Sequence, residues 1–155
     1  MAYDRDVIAV NASEDTNPKQ SGLRFSLTNT FGQDARITDL EITPENSAID
    51  QLRDHSYGEG AWVSELFIAA DVQNGVTDIN NGISLPGSID LDWDGHDESA
   101  SNNAILSSGS SATVSFYQSK SNGSPIDMVG ERVDITIDYT LGDGGSGSRT
   151  FTLLL

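Results

Sequence analysis

Val133-Asp134-Ile135-Thr136-Ile137-Asp138-Tyr139 alternates apolar and polar residues without a break. That period of two places Val133, Ile135, Ile137 and Tyr139 on one face of a β-strand and Asp134, Thr136 and Asp138 on the other. The same pattern recurs outward from it. Leu23, Phe25 and Leu27 oppose Arg24, Ser26 and Thr28; Ala112, Val114 and Phe116 oppose Thr113, Ser115 and Tyr117; and Phe151, Leu153 and Leu155 form one face at the end of the chain. Less regular strands are expected over 6–12, 35–43, 62–69 and 88–93, the last with Ile89, Leu91 and Trp93 inward. Asn-Gly pairs at 74–75, 81–82 and 122–123 and the glycine-rich 142–147 punctuate them as turns, the last as the hairpin loop between the final two strands. One helical turn is expected over 45–54, after Pro44 and capped by Asn46 or Ser47. Seven to nine short strands with at most one short helix predict an all-β chain: a single antiparallel β-sandwich over 1–155, immunoglobulin-like or jelly-roll.

Charge says more about surroundings than about chemistry. The 155 residues carry 24 Asp and Glu against 8 Lys and Arg, a formal charge of −16. In dilute buffer such an excess repels itself and destabilises a compact state, whereas at about 1 M salt the Debye length falls to about 3 Å. The composition therefore fits concentrated salt. The acids are dispersed among Ile, Leu, Val and Trp rather than gathered in runs, which argues for a folded domain and against a disordered tail. With no cysteine, disulfides and thiolate metal sites are excluded. An anionic surface cannot neutralise phosphates, so nucleic acid and anionic membrane surfaces are excluded as partners. No apolar run is long enough to span a bilayer, so this segment is not expected to insert directly. The almost immediate entry from Met1-Ala2 into strand 6–12 suggests an anchor or signal upstream; a natural cytoplasmic start is the alternative.

The sharpest local cluster is Asp90-Leu91-Asp92-Trp93-Asp94-Gly95-His96-Asp97-Glu98. Carboxylates at positions 1, 3 and 5, glycine at 6 and Glu98 at 9 match the opening of a calcium loop, because a hard cation gathers several oxygens around a tight turn. Position 12 is Ser101 rather than the bidentate glutamate, and no helices flank the loop. The competing reading is a strand with its aspartates in solvent. Asp90, Asp92, Asp94 and Glu98 are thus a calcium candidate, with no other cofactor or metal implied. No catalytic residues emerge. Asp54-His55-Ser56 resembles a triad only in order, since neighbours in sequence do not converge as three side chains, and no G-x-S-x-G turn exists. The 142–147 loop is followed by a strand, not by the helix a phosphate cradle needs. Trp62, Tyr57 and Tyr117 could stack on a sugar or serve as core and rim aromatics. Asn11-Ala12-Ser13 and Asn122-Gly123-Ser124 are glycosylation acceptor tripeptides.

Gly22-Leu23-Arg24-Phe25-Ser26-Leu27-Thr28-Asn29-Thr30-Phe31-Gly32, followed by Ala35-Arg36-Ile37-Thr38-Asp39-Leu40-Glu41-Ile42, resembles the first strands of haloarchaeal surface proteins, in which an F-x-L-T-N-T strand leads into an I-x-x-[LI]-x-[IV] strand. Leu106-Ser107-Ser108-Gly109-Ser110-Ser111-Ala112-Thr113-Val114-Ser115-Phe116 is similar to the glycine-led strand near the end of those domains. The resemblance, to type IV pilin-like and archaellin-like proteins, covers most of the chain from about Leu23 onward and implies a β-sandwich head behind an N-terminal hydrophobic helix. That helix is absent from this sequence. The resemblance carries no catalytic residues. It implies an extracellular, cell-surface domain of structural, adhesive or interaction function, with a protein or surface partner, self-assembly included. The alternatives are a calcium- or carbohydrate-binding module of a secreted halophilic enzyme and an intracellular haloarchaeal protein of undefined role.

Overall fold

The computed structural model describes residues 1–11, 19–53, 64–77, 79, 81–95 and 99–155. Among them the chain forms, in order, β1 (Ala2–Tyr3), β2 (Ile8–Val10), β3 (Gly22–Thr28), β4 (Ala35–Pro44), β5 (Gln51–Leu52), β6 (Leu66–Ala69), β7 (Gly75–Val76), β8 (Ile83–Ser84), β9 (Gly87–Asp90), a 3-10 turn at Ala100–Asn102, β10 (Ala104–Leu106), β11 (Ser111–Phe116), β12 (Ser119–Ser121), β13 (Ser124–Pro125), β14 (Arg132–Leu141) and β15 (Ser146–Leu154). All pairings are antiparallel. One sheet runs β1-β3-β11-β6-β7, with β2 also on β3; a second runs β10-β4-β14-β15, with β9 also on β4; a small third runs β13-β12-β5-β8. The fold is an all-β sandwich. Its long strands match the periodic segments of the sequence, and the additional ones are pieces of two to four residues.

The alternation sets the core. Leu23, Phe25, Leu27, Ala112, Val114 and Phe116 from the first sheet meet Ile135, Ile137, Leu153 and the inner residues of β4 from the second, all within 2% of full burial. Tyr3 spans the two layers, edge-on to Phe25 at 5.7 Å and tilted against Phe151 at 5.9 Å. β4 breaks the period once. Asp138 pairs with Asp39, but the next residue, Tyr139, pairs with Ile37, leaving Thr38 as the extra residue of a bulge. Ile37 and Leu40 thereby both reach the core although three residues apart. At the far end of β14, Tyr139 lies across Gly147 so closely that a Cβ there would sit 2.6 Å from the phenol oxygen.

Three local expectations are corrected. The helical turn over 45–54 does not form in its described part: Asn46 Oδ1 does accept the Ala48 amide, but the chain then extends as β5, with Asp50 and Arg53 donating to Lys120 and Gln118. Pairing in the third sheet buries Ile49 and Leu52 better than an isolated turn would. Ser115 and Tyr117, expected outward, are 3% and 4% exposed. Ser115 sits mid-sheet between Arg24 and Phe67, whose larger side chains flank it. Trp93, expected in the core, is 69% exposed. The chain leaves the strand at Asp90, so the period of two does not extend to it. Among the turns, Asn122 and Gly123 both have positive φ, 48° and 76°, and close the two-residue hairpin β12–β13.

Candidate functional site

The Asp90 to Asp94 segment is a turn held by its own carboxylates. Asp90 Oδ1 accepts the amides of Asp92 at 2.9 Å and Trp93 at 3.3 Å, its carbonyl accepts the Asp94 amide at 2.6 Å, and Asp94 Oδ2 accepts the Asp90 amide at 3.1 Å. Two of the calcium candidates, Asp90 and Asp94, thus satisfy backbone donors, while Asp92 points into solvent. Glu98, with His96 and Asp97, lies outside the described residues. Among the described residues no group of three or more carboxylates and imidazoles has the arrangement of a metal site.

The turn instead delivers Asp90 into a row of carboxylates. Asp90 on β9 pairs directly with Asp39 on β4, and Asp39 pairs directly with Asp138 on β14. Cross-strand neighbours of this kind stand about 4.5–5.5 Å apart at Cβ, where like charges destabilise a sheet. Asp39, in the middle and half-buried, has its pKa pushed up by burial first and then by the charges of Asp90, Asp138 and Asp92, against a hydrogen bond from Thr38. The rest of this outer face is hydroxyl-rich: Thr136 and Thr150 share a hydrogen bond of 2.9 Å, and Thr152 donates to Asp134 at 2.6 Å. The row went unseen in the sequence because it requires the register of three strands. Ile37-x-x-Leu40 carried the one available signal, since a spacing of three in a strand implies the bulge that brings Asp39 opposite Asp138.

Other acids work as staples. Asp71 binds Ser107 through both amide and hydroxyl and Ser110 through its hydroxyl, which holds its pKa below the usual carboxylate range. Asp6 is pulled up by partial burial, yet the Ser26 side chain and amide outweigh that and lower it. Glu65 is fully buried, and its Oε2 accepts Thr77 Oγ1 at 2.9 Å and the Ile79 amide at 3.2 Å.

Tyr117, one of the sugar-stacking candidates, is buried and accepts Arg24 Nη2 at 3.2 Å, so it offers no open face. Tyr57, Trp62 and Asp54-His55-Ser56 lie outside the described residues. Of the acceptor asparagines, Asn122 is exposed at the tip of its hairpin, with its amide donating to the Asp50 carboxylate; Asn11 is exposed, but the rest of its tripeptide is outside the described residues. No helix of the described chain is long and apolar enough to cross a membrane. No protein family and no curated protein compared with this chain matches it.

Proposed function

We propose that this chain is a non-enzymatic interaction domain, the β-sandwich head of a haloarchaeal pilin-like or otherwise surface-anchored protein, working outside the cell in concentrated salt. Its role is structure, adhesion or recognition: a rigid sandwich offers its surface to a protein or surface partner, and an acid coat keeps it hydrated. Nucleic acid and anionic lipid are not its partners, for want of positive surface.

The observation that best supports the salt-adapted part of this reading is the Asp90–Asp39–Asp138 row. Three aligned aspartates are a liability where the Debye length is about 10 Å and a mild one where it is about 3 Å. The row bears on habitat, and the display role rests on the sandwich and its resemblance to surface heads.

Asp39→Asn tests it. Asp39 has a raised pKa in the folded state, so its favourable contribution is present below the unfolded value of about 3.9 and is lost as pH rises through the folded value. At neutral pH and about 0.1 M salt the substitution is expected to stabilise the protein by about 0.5–1 kcal/mol, read as a higher denaturation midpoint, and the gain should shrink at molar salt. An unchanged midpoint at low salt, or an equal gain at both salts, would count against the reading.

A further inference from the structure

We propose that β15 pairs with the β15 of a second copy of this chain, antiparallel and about a twofold axis at Thr150, joining the second sheets of two sandwiches into one. This rests on the reading of the chain as an interaction domain and names the partner as the chain itself.

The backbone of β15 is open along its whole length. Leu141 donates to Gly145 at 2.7 Å at one end of the β14–β15 hairpin and Leu155 donates to Glu131 at 3.0 Å at the other. Both fit one register, in which Tyr139 pairs with Gly147, Ile137 with Arg149, Ile135 with Phe151 and Val133 with Leu153. Hydrogen-bonded pairs alternate with non-bonded ones in an antiparallel ladder. The amides and carbonyls of Ser146, Ser148, Thr150, Thr152 and Leu154 therefore point away from β14, and β15 ends its sheet. Among the described residues only Arg149 Nη1 reaches one of these outward groups, the Ser148 carbonyl at 3.4 Å. Other edges are short or interrupted: β1 and β2 are parted by Arg5 at φ 59°, and β9 and β10 have four and three residues. β15 runs nine residues, a length that folded proteins seldom leave unpaired at an edge.

The strand is self-complementary in one register. With the axis at Thr150, the middle residue of Ser146–Leu154, Thr150 faces the partner's Thr150, Ser148 faces the partner's Thr152 and Ser146 the partner's Leu154. Every outward amide and carbonyl then meets one of the other copy. A register centred between two residues sets outward groups against groups already bonded to β14. One centred on Arg149 puts the two arginines directly opposite each other, where like charges destabilise a sheet, and one centred on Phe151 leaves part of the edge unpaired.

The side chains agree with that register. Arg149 stands on the inward row with Phe151 yet is exposed, and Phe151, half-buried, walls a groove of about 660 Å³ with Tyr3 and Val7. Pairing about Thr150 sets each Arg149 beside the partner's Phe151, so the guanidinium gains an aromatic face and its stem an apolar wall. Arg5, at the side of this groove, is flanked in sequence by the carboxylates of Asp4 and Asp6. An inward arginine keeps off strands that offer it no such neighbour. On the outer row Thr150 meets Thr150 and Ser148 meets Thr152, hydroxyl pairs that favour a sheet. Charge singles out the same edge. Two copies at −16 repel each other, but residues 144–155 contain no Asp or Glu in a chain that has 24, so no carboxylate of one strand faces the other. The remaining repulsion is screened within about 3 Å at about 1 M salt. Pairing therefore strengthens as salt rises, the reverse of an attraction between unlike charges.

Sedimentation of the unmodified protein from micromolar to millimolar concentration tests this, in about 3 M potassium chloride and at the lowest salt at which the fold persists. A monomer–dimer equilibrium is expected, several-fold tighter at the higher salt. Because the chain has no cysteine, single substitutions read the register. Thr150→Cys brings two sulfurs to the axis, with Cα atoms about 5.5 Å apart and so within disulfide reach, and is expected to yield covalent dimers under mild oxidation. Ser148→Cys lies about 13 Å from its copy along the strand and is expected to yield at least about tenfold fewer. Thr150→Pro removes an outward amide and no bond of the β14–β15 ladder; Arg149→Glu leaves the backbone untouched. Each is expected to weaken dimerisation about tenfold or more. A monomer at every concentration, assemblies larger than two, a dimer that loosens as salt rises, equal cross-linking of the two cysteine variants, or a dimer indifferent to both Thr150→Pro and Arg149→Glu would each overturn the proposal. If the protein stays monomeric while Asp39→Asn behaves as expected, the self-pairing falls and the salt-adapted reading stands.

Discussion

Phe25→Ala is expected to cost about 3–5 kcal/mol, a large share of the roughly 5–15 kcal/mol that holds a domain together. Phe25 is 1% exposed on β3, stacks on Phe116 with ring centres 6.3 Å apart, and takes the edge of Tyr3, which in turn touches Phe151 in the opposite sheet. Removing the ring opens a cavity at the contact that couples the two layers. Denaturant unfolding should show a lower midpoint with an unchanged slope. Trp93→Ala is the control: despite the greater volume removed, its 69% exposure predicts a change within about 0.5 kcal/mol. If the two substitutions cost the same, the core has been misassigned.

Asn29→Leu is expected to cost about 2–4 kcal/mol, because it strands several polar groups at once. Asn29 is fully buried; its Nδ2 donates to the carbonyls of Gln33, Leu106 and Ser107 at 2.9–3.0 Å, and its Oδ1 accepts the Phe31 amide at 3.0 Å. One side chain thus ties the 29–34 turn to the segment entering β11, which Asp71 clamps from outside through Ser107 and Ser110. Leucine has similar bulk and no donors, so the loss would report hydrogen bonds rather than volume. Faster hydrogen exchange at Phe31 should accompany the lower midpoint, and a cost below about 1 kcal/mol would contradict this role. Within Phe25-Ser26-Leu27-Thr28-Asn29-Thr30 the apolar residues fill the core and the asparagine locks the turn.

The long strands were legible because each buries one face, which forces a period of two. Val133 to Tyr139 did so without exception, as did Leu23 to Leu27. What escaped the sequence depended on partners. Ser115 reads as a solvent position, but a central strand leaves little solvent on either side of it. Trp93 reads as core, but Asp90 accepts the following amides and turns the chain before the tryptophan can point inward. Ile49 and Leu52, three apart, fit a helix as well as the short β5 strand, and only the distant β12 decides between them. The carboxylate row exists only once register and sheet order are fixed, and its one local trace is the Ile37-x-x-Leu40 spacing of the bulge. Asp90 and Asp94 were visible as members of an acidic cluster, whereas their use of backbone amides was not.

We propose that the acid excess is a surface coat suited to concentrated salt, laid over an ordinary apolar core. The most direct measurement is the unfolding midpoint of the unmodified protein in potassium chloride from about 0.1 M to about 3 M, a range over which the Debye length shrinks from about 10 Å to below about 3 Å. A steep rise of about 10 °C or more is expected, equivalent to at least roughly 3 kcal/mol for a chain of this size. A midpoint that stays flat across that range would contradict it.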